Sequence, residues 1–395
     1  MSLIFSKHNR IRKSGIALLL CMAMMFVSGC EGAATQSVKN DLPEKSTITE
    51  KTLKDVFAEH GMKVGCCINS GVTGSANTET MILEQFSSVT TENAMKPDSV
   101  LSRDESQRAG EIVVKFSDET VRLLNWAKAH AIPMRGHTLV WYSQTPEWIF
   151  HQDFDEKKSL VGRDEMLARM ESFIRQMFET LENMGCLDLF YAYDVVNEAF
   201  MEDGSLRRSN WTEIIGDDYI WYAFYYADKY APESVDLYYN DYNEQYKGDT
   251  LCEFVKTLVD DDGRSLIDGI GMQAHLFTED DLTTYLAGVD KLAEAGLKLE
   301  VTELDLGLGA YQAPALQTQD KFKEQGRYYY DLINGLFERA DTGKIEMDSI
   351  TFWGFTDRSS WRSEYAPQLF DSELSPKYAY YGAMQVKEYA GFDGE

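Results

Sequence analysis

Along this chain short apolar runs alternate with longer amphipathic ones. From about residue 52 onward eight short runs, rich in β-branched and aromatic residues, read as buried strands: Met62–Asn69, Ser87–Glu92, Ile132–His137, Phe190–Asn197, Val235–Asn240, Ile267–His275, Leu297–Thr302 and Ser349–Gly354. Between them the apolar spacing changes to that of one helix face, over Ser117–His130, Arg163–Met184, Asp217–Tyr230, Lys247–Asp262, Asp281–Ala295 and Gln319–Ala340. A last helix is expected over Pro376–Glu388, with proline near its first turn. Eight strand–helix repeats predict an α/β fold, a closed (β/α)₈ TIM barrel in a single domain over residues 52–390. An open doubly wound sheet is the competing fold. Against it, Ile68-Asn69-Ser70-Gly71-Val72-Thr73-Gly74 lacks the glycine spacing of a phosphate loop after the first strand.

The amino terminus follows a different pattern. Lys7, Arg10, Arg12 and Lys13 precede an apolar stretch, Ile16 to Val27, too short to favour a membrane span. It closes with Val27-Ser28-Gly29-Cys30, which resembles a bacterial lipobox. Residues 1–29 then read as a lipoprotein signal peptide and Cys30 as the lipidated first residue. Two acyl chains make such an anchor stable. Ordinary signal cleavage beside an incidental Cys30 is the alternative. Residues 30–51 are polar and read as a flexible tether.

Composition narrows the partners. The formal charge is −27, and the four leading basic residues belong to the leader, so the exported chain is more acidic still. Phosphate binding wants a basic face, which excludes nucleic acid as an expected partner. A neutral polysaccharide is compatible with an acidic surface. Past Cys30 four cysteines remain, with no paired zinc-ligand spacing. Cys66 and Cys67 are adjacent on a strand and bridge each other poorly. All four read as buried thiols, with a Cys186–Cys252 bridge left open. A monomer is the simplest expectation for the oligomeric state.

The chemistry lies at the strand ends. The carboxyl ends of barrel strands carry the active site in this architecture. Here the second strand gives Thr91-Glu92-Asn93-Ala94-Met95-Lys96, and the third Arg135-Gly136-His137 through Trp141. The fourth ends Asn197-Glu198, the fifth Asn240-Asp241-Tyr242-Asn243 and the sixth Gln273-Ala274-His275. The seventh gives Glu303-Leu304-Asp305, and the eighth Trp353 through Asp357 to Trp361. Any one polar strand end is an ordinary exit from a core. Seven converging on amides, carboxylates, imidazoles and indoles form a sugar-binding set, since amides and carboxylates bind hydroxyls and aromatic faces cover C–H surfaces. Two of the carboxylates, Glu198 and Glu303, each close an apolar run, and paired carboxylates are the apparatus of glycoside hydrolysis. No Ser/His/Asp order or metal-ligand spacing competes.

These runs, in this order, resemble glycoside hydrolase family 10, the endo-β-1,4-xylanases, over about residues 52 to 390. The matching segments are Thr90-Thr-Glu-Asn-Ala-Met-Lys96, Arg135-Gly-His-Thr-Leu-Val-Trp141, Asp194-Val-Val-Asn-Glu-Ala-Phe200, Tyr239-Asn-Asp-Tyr-Asn243, Gly271-Met-Gln-Ala-His275, Val301-Thr-Glu-Leu-Asp305 and Trp353-Gly…Asp357…Trp361. The resemblance implies a retaining mechanism with Glu198 as acid/base and Glu303 as nucleophile. It implies that Asn197 bonds the 2-hydroxyl at the cleaved sugar, with Gln273 nearby, and that His275 holds Glu303 while Asp305 orients His275. It places Glu92, Asn93, Lys96, His137, Trp353 and Trp361 along the glycone side and Trp141 under the cleaved sugar. Asn240, Tyr242 and Asn243 fall toward the acid/base and the aglycone. It implies no cofactor and no metal, with xylan and xylo-oligosaccharides as substrates and the membrane as a second partner through Cys30.

Elementary physics splits the roles in the same direction. Two close carboxylates cannot both ionise freely, so one must hold a proton while the nucleophile stays ionised with the hydrogen-bond support. Thr356 departs from the proline common in the last loop, and Gly110–Ser117 departs from the usual approach to the third helix, with no role assigned. No carbohydrate-binding module is expected. Two other readings stay open: the same barrel acting on cellulose or on aryl or steroid glycosides, and a non-catalytic surface glycan-binding lipoprotein.

Overall fold

The computed structural model describes residues 50–392. The leader, Cys30 and all but the end of the expected tether lie outside the described residues.

Eight parallel strands form a closed ring: β1 (Lys63–Ile68), β2 (Ser88–Thr91), β3 (Met134–Gly136), β4 (Phe190–Asn197), β5 (Asp236–Asp241), β6 (Gly269–Met272), β7 (Lys298–Gly307) and β8 (Met347–Phe352). Each pairs with the next, and β8 pairs with both β7 and β1, which closes the barrel. The (β/α)₈ expectation is met, and the open sheet is excluded.

Helices cover the outside because their apolar stripes need the barrel wall. Arg163–Asn183 buries Met166, Met170, Phe173, Ile174, Met177, Phe178 and Leu181, one face at three- and four-residue spacing. Starts are capped by side chains that take up free N–H groups: Ser117 accepts from Thr120, Asp281 from Thr283 and Thr284, Thr318 from Lys321.

Three predicted elements are shorter than the pattern suggested. The sixth strand breaks at Ala274, whose φ of +56° swings His275–Phe277 out of line to pair with Asp305–Gly307 of β7. The helix after β5 stops at Phe254, because a short hairpin turn, closed by Asp260 accepting from the Arg264 amide, takes over. The last helix covers only Tyr378–Ala383. Pro376 is used in a bridge to Phe370, and the chain turns away at Gln385 (φ +59°). Helices Leu53–Glu59, Ala76–Gln85 and Arg103–Ala109 add to those the apolar pattern predicts. Thr356 has a task of its own: its hydroxyl caps the turn Asp357–Ser359.

The four cysteines described are buried and free, so Cys186 and Cys252 form no disulfide; their thiols point instead to backbone carbonyls at Met184 and Lys291. The barrel interior is not uniformly apolar. Arg135 of β3, 1% exposed, donates to Asp194 of β4 and, at 2.7 Å, to Glu300 of β7, and lies over the Tyr238 ring. This ion network ties three strands together below the mouth.

Candidate active site

Register sets the site before any side chain is considered. Near the carboxyl ends of the strands, Asn197 is paired with Asn240 and Asn240 with Gly271. Trp141, in a two-residue strand, pairs with Asn197, and His275 pairs with Asp305. Five of the residues singled out in the sequence thus sit side by side along one rim. Gly271 is required there: a Cβ would lie 2.4 Å from the Asn240 carboxamide oxygen.

Asn240 is the hub. Its nitrogen donates to Asn197 Oδ1 at 2.9 Å and to Glu303 Oε1 at 2.8 Å, while its oxygen accepts from Thr302 Oγ1 at 2.6 Å. Both ends being committed, its orientation is fixed. Asn197 Oδ1 also accepts from Gln273 Nε2, which donates in turn to Glu198 Oε1 at 3.0 Å. A continuous amide chain therefore joins the two glutamates, and Asn197 keeps its own nitrogen on the Glu198 side.

The two carboxylates differ in surroundings. Glu303 is 5% exposed, whereas Glu198 is only partly buried. Burial alone would raise the Glu303 carboxyl. His137, His275 and Lys96 outweigh it and bring the group to about 2. His275 Nε2 lies 3.3 Å from Glu303 Oε2, and His137 Nδ1 lies 3.9 Å from Oε1. Burial would likewise depress the His275 imidazole, but Asp305 first and Glu303 second hold it up at about 10. Its Nδ1 is 3.2 Å from Asp305 Oδ2 without the alignment of a hydrogen bond, so that contact is mainly charge on charge. Asp305 is fully buried, and its aligned donors are Trp361 Nε1 and Arg362. The order Asp305, His275, Glu303 holds one carboxylate ionised.

The remaining residues surround this centre. Lys96, 6% exposed, donates to Asn93 and Gln144 at 2.9 and 2.8 Å and stands over the Trp141 ring; its burial lowers its pKa. Glu92 accepts from Asn69 at 3.0 Å. His137 is held by Asp194 at 2.9 Å and meets Trp353 edge-on. Trp361, 60% exposed, stands beside His275. Tyr242 is half-buried and accepts from Arg207. Asn243 departs from the group: its carboxamide nitrogen donates to Glu202 at 3.0 Å instead of to a central glutamate.

Sequence reading passed over Asp194, Gln144, Arg207 and Arg362. Asp194 was visible as an acid inside an apolar strand. Arg362 adjoins Trp361. Arg207 had no signal, since it lies in a polar loop nine residues past Glu198.

A closed parallel barrel whose carboxyl-end mouth sets a buried, ionised carboxylate against a more open one, with amides and indoles around them, is the architecture of a barrel glycosidase. Comparison agrees. Residues 52–386 match the model of Glycosyl hydrolase family 10, and the chain belongs to that family. An Endo-1,4-beta-xylanase Y of Acetivibrio thermocellus is 33% identical over 373 residues, covering 88% of this chain and 33% of that protein. An Endo-1,4-beta-xylanase of Geobacillus stearothermophilus is also 33% identical, over 85% of this chain and 98% of its own length. The chain spans between about a third and half of the length of the first curated relatives it matches. Among solved structures, an intracellular xylanase from Thermoanaerobacterium saccharolyticum superposes with a TM-score of 0.74 at 31% identity, over 87% of this chain and 99% of that one. A Clostridium thermocellum endo-1,4-beta-D-xylanase complexed with xylohexaose gives 0.76 at 34% identity, over 85% of this chain and 68% of that one.

Proposed function

We propose that this chain is a retaining endo-1,4-β-xylanase, with Glu303 as nucleophile and Glu198 as acid/base. The observation that carries the split is the Asp305–His275–Glu303 alignment, which keeps Glu303 charged inside a buried site while Glu198 stays accessible. In the first step a Glu303 oxygen attacks the anomeric carbon. The bond to the leaving oxygen breaks, its electron pair goes to that oxygen, and Glu198 delivers the proton. In the second step Glu198 takes a proton from water, the water oxygen attacks the same carbon, and the ester bond breaks back to the Glu303 carboxylate. Two inversions leave a β-product. Asn197, with its nitrogen turned outward by Asn240 and Gln273, donates to the 2-hydroxyl of the cleaved sugar. Lys96, Glu92, Asn93, His137, Trp353 and Trp361 hold the glycone, Trp141 supports the cleaved sugar, and Tyr242 and Asn243 lie toward the aglycone.

Proton NMR of early products from xylan tests this: β-anomers should form first, and an initial α-anomer would contradict retention. Hydrolysis of nitrophenyl xylobioside should outpace that of the cellobioside, since xylose lacks the C5 hydroxymethyl; the reverse order would move the assignment to glucans. The family names of the relatives, and the xylohexaose in one neighbour's complex, support xylan. The leader and Cys30 extend the proposal to a lipid-anchored envelope enzyme, on sequence alone. No helix among the described residues is long and apolar enough to cross a membrane.

A further inference from the structure

Arg207 has no part in the mechanism above, yet it touches three strand-end loops at once. After Glu198 the chain makes a hairpin, bridged between Phe200 and Leu206, and the Arg207 amide returns to Ala199 O at 2.8 Å. From there the half-buried guanidinium reaches back to the mouth. Its Nε donates to the backbone oxygen of Glu198 at 2.9 Å, its Nη2 donates to the Tyr242 hydroxyl at 2.9 Å, and its plane covers the Tyr142 ring at 4.1 Å.

The first contact matters because Glu198 is strained. Its φ is +55°, the left-handed region that side chains disfavour and that persists only where neighbours over-determine it. Three bonds do so. The Glu198 amide donates to Asn240 O at 2.9 Å, and the next amide, Ala199, donates to the Tyr239 hydroxyl at 3.0 Å. Arg207 takes the carbonyl between them. The Glu198–Ala199 peptide is thus clamped from the barrel side through its N–H and from the loop side through its C=O. The same guanidinium fixes Tyr242, and only a planar fork serves both acceptors together.

We propose that Arg207 is the positioning residue of the proton-transfer side: it locks the peptide that aims the Glu198 carboxyl at the leaving oxygen, and locks Tyr242 against it. This rests on Glu198 being the acid/base. In the first step a misaimed acid harms only substrates whose leaving group needs a proton, and misplacement by about an ångström costs on the order of 100-fold.

The full chain carrying Arg207→Gln should lose about 30- to 100-fold in kcat/KM on xylohexaose. On 2,4-dinitrophenyl β-xylobioside, which departs unprotonated, kcat/KM should stay within about threefold. On that substrate kcat and KM should fall together and azide should restore kcat, because the second step then lacks its base. Arg207→Lys, which keeps the charge without the fork, should lie between Gln and wild type, and it carries the same comparison if the Gln variant does not fold. Equal losses on both substrates, or none, would overturn the inference. Glu198→Ala run alongside separates the two claims. If Glu198→Ala discriminates between the substrates and the Arg207 variants do not, only the role of Arg207 fails. If Glu198→Ala itself shows no discrimination, the acid/base assignment fails and takes the inference with it.

Discussion

At the scale of single residues, the chemistry depends on keeping one buried carboxyl ionised. His275 does most for this among groups that can be replaced without touching substrate contacts at Lys96 and His137. Replacing it by glutamine should let burial act on Glu303 and raise its carboxyl toward the ordinary range. The acid limb of nucleophile trapping by a fluorinated xylobioside, which the depressed Glu303 carboxyl is expected to place at low pH in wild type, should then move to higher pH. An unmoved limb would show that His275 is not the support. Removing the nucleophile itself is more severe: Glu303→Ala should lower reducing-end release from arabinoxylan by about ten-thousand-fold or more.

At the scale of elements, the barrel is held by more than its apolar wall. Arg135 joins β3, β4 and β7 through Asp194 and Glu300, all three fully buried. Arg135→Met would strand two buried carboxylates, and such a break typically costs about 3–5 kcal/mol. Urea denaturation of this variant should show a midpoint far below wild type. A triple variant that also neutralises Asp194 and Glu300 should recover part of the loss. This network also marks where sequence reading stops. The strand-end residues were legible because each is a polar group closing an apolar run, and the ring topology then brings those ends together. Arg135 stands in its motif without a sign of this task, since a strand buried on both faces gives no clue which side chain points into the barrel. The kink at Ala274, which moves His275 beside Asp305, was equally invisible, because alanine normally has no left-handed preference. Arg207 became meaningful only once the hairpin had carried it back to Glu198.

At the scale of the whole molecule, the ion pair at the mouth links stability to pH. The folded Glu303 carboxyl is depressed from 4.5 to about 2, so its contribution, about 3 kcal/mol, is complete above pH 4.5 and is lost as pH falls through 2. The folded His275 is raised from 6.5 to about 10, so its contribution is complete below pH 6.5 and is lost as pH rises through 10. The two edges share the His275–Glu303 contact, to which His137 and Lys96 add on the Glu303 side and Asp305 on the His275 side. The stability difference between wild type and His275→Gln should therefore be greatest between about pH 4.5 and 6.5 and shrink on either side; a difference independent of pH would contradict the pair. Cellular placement has its own test. Cys30→Ala should move the enzyme from membrane to soluble fraction and abolish metabolic labelling with palmitate, whereas ordinary cleavage predicts no change.

The central claim is that Glu303 becomes the sugar ester. Wild-type enzyme treated with 2,4-dinitrophenyl 2-deoxy-2-fluoro-β-xylobioside, digested and read by tandem mass spectrometry, tests it most directly. One sugar per chain, placed on Glu303 within Val301-Thr302-Glu303-Leu304-Asp305, is the predicted result. An adduct on Glu198, or release of dinitrophenol with no adduct at all, would contradict it.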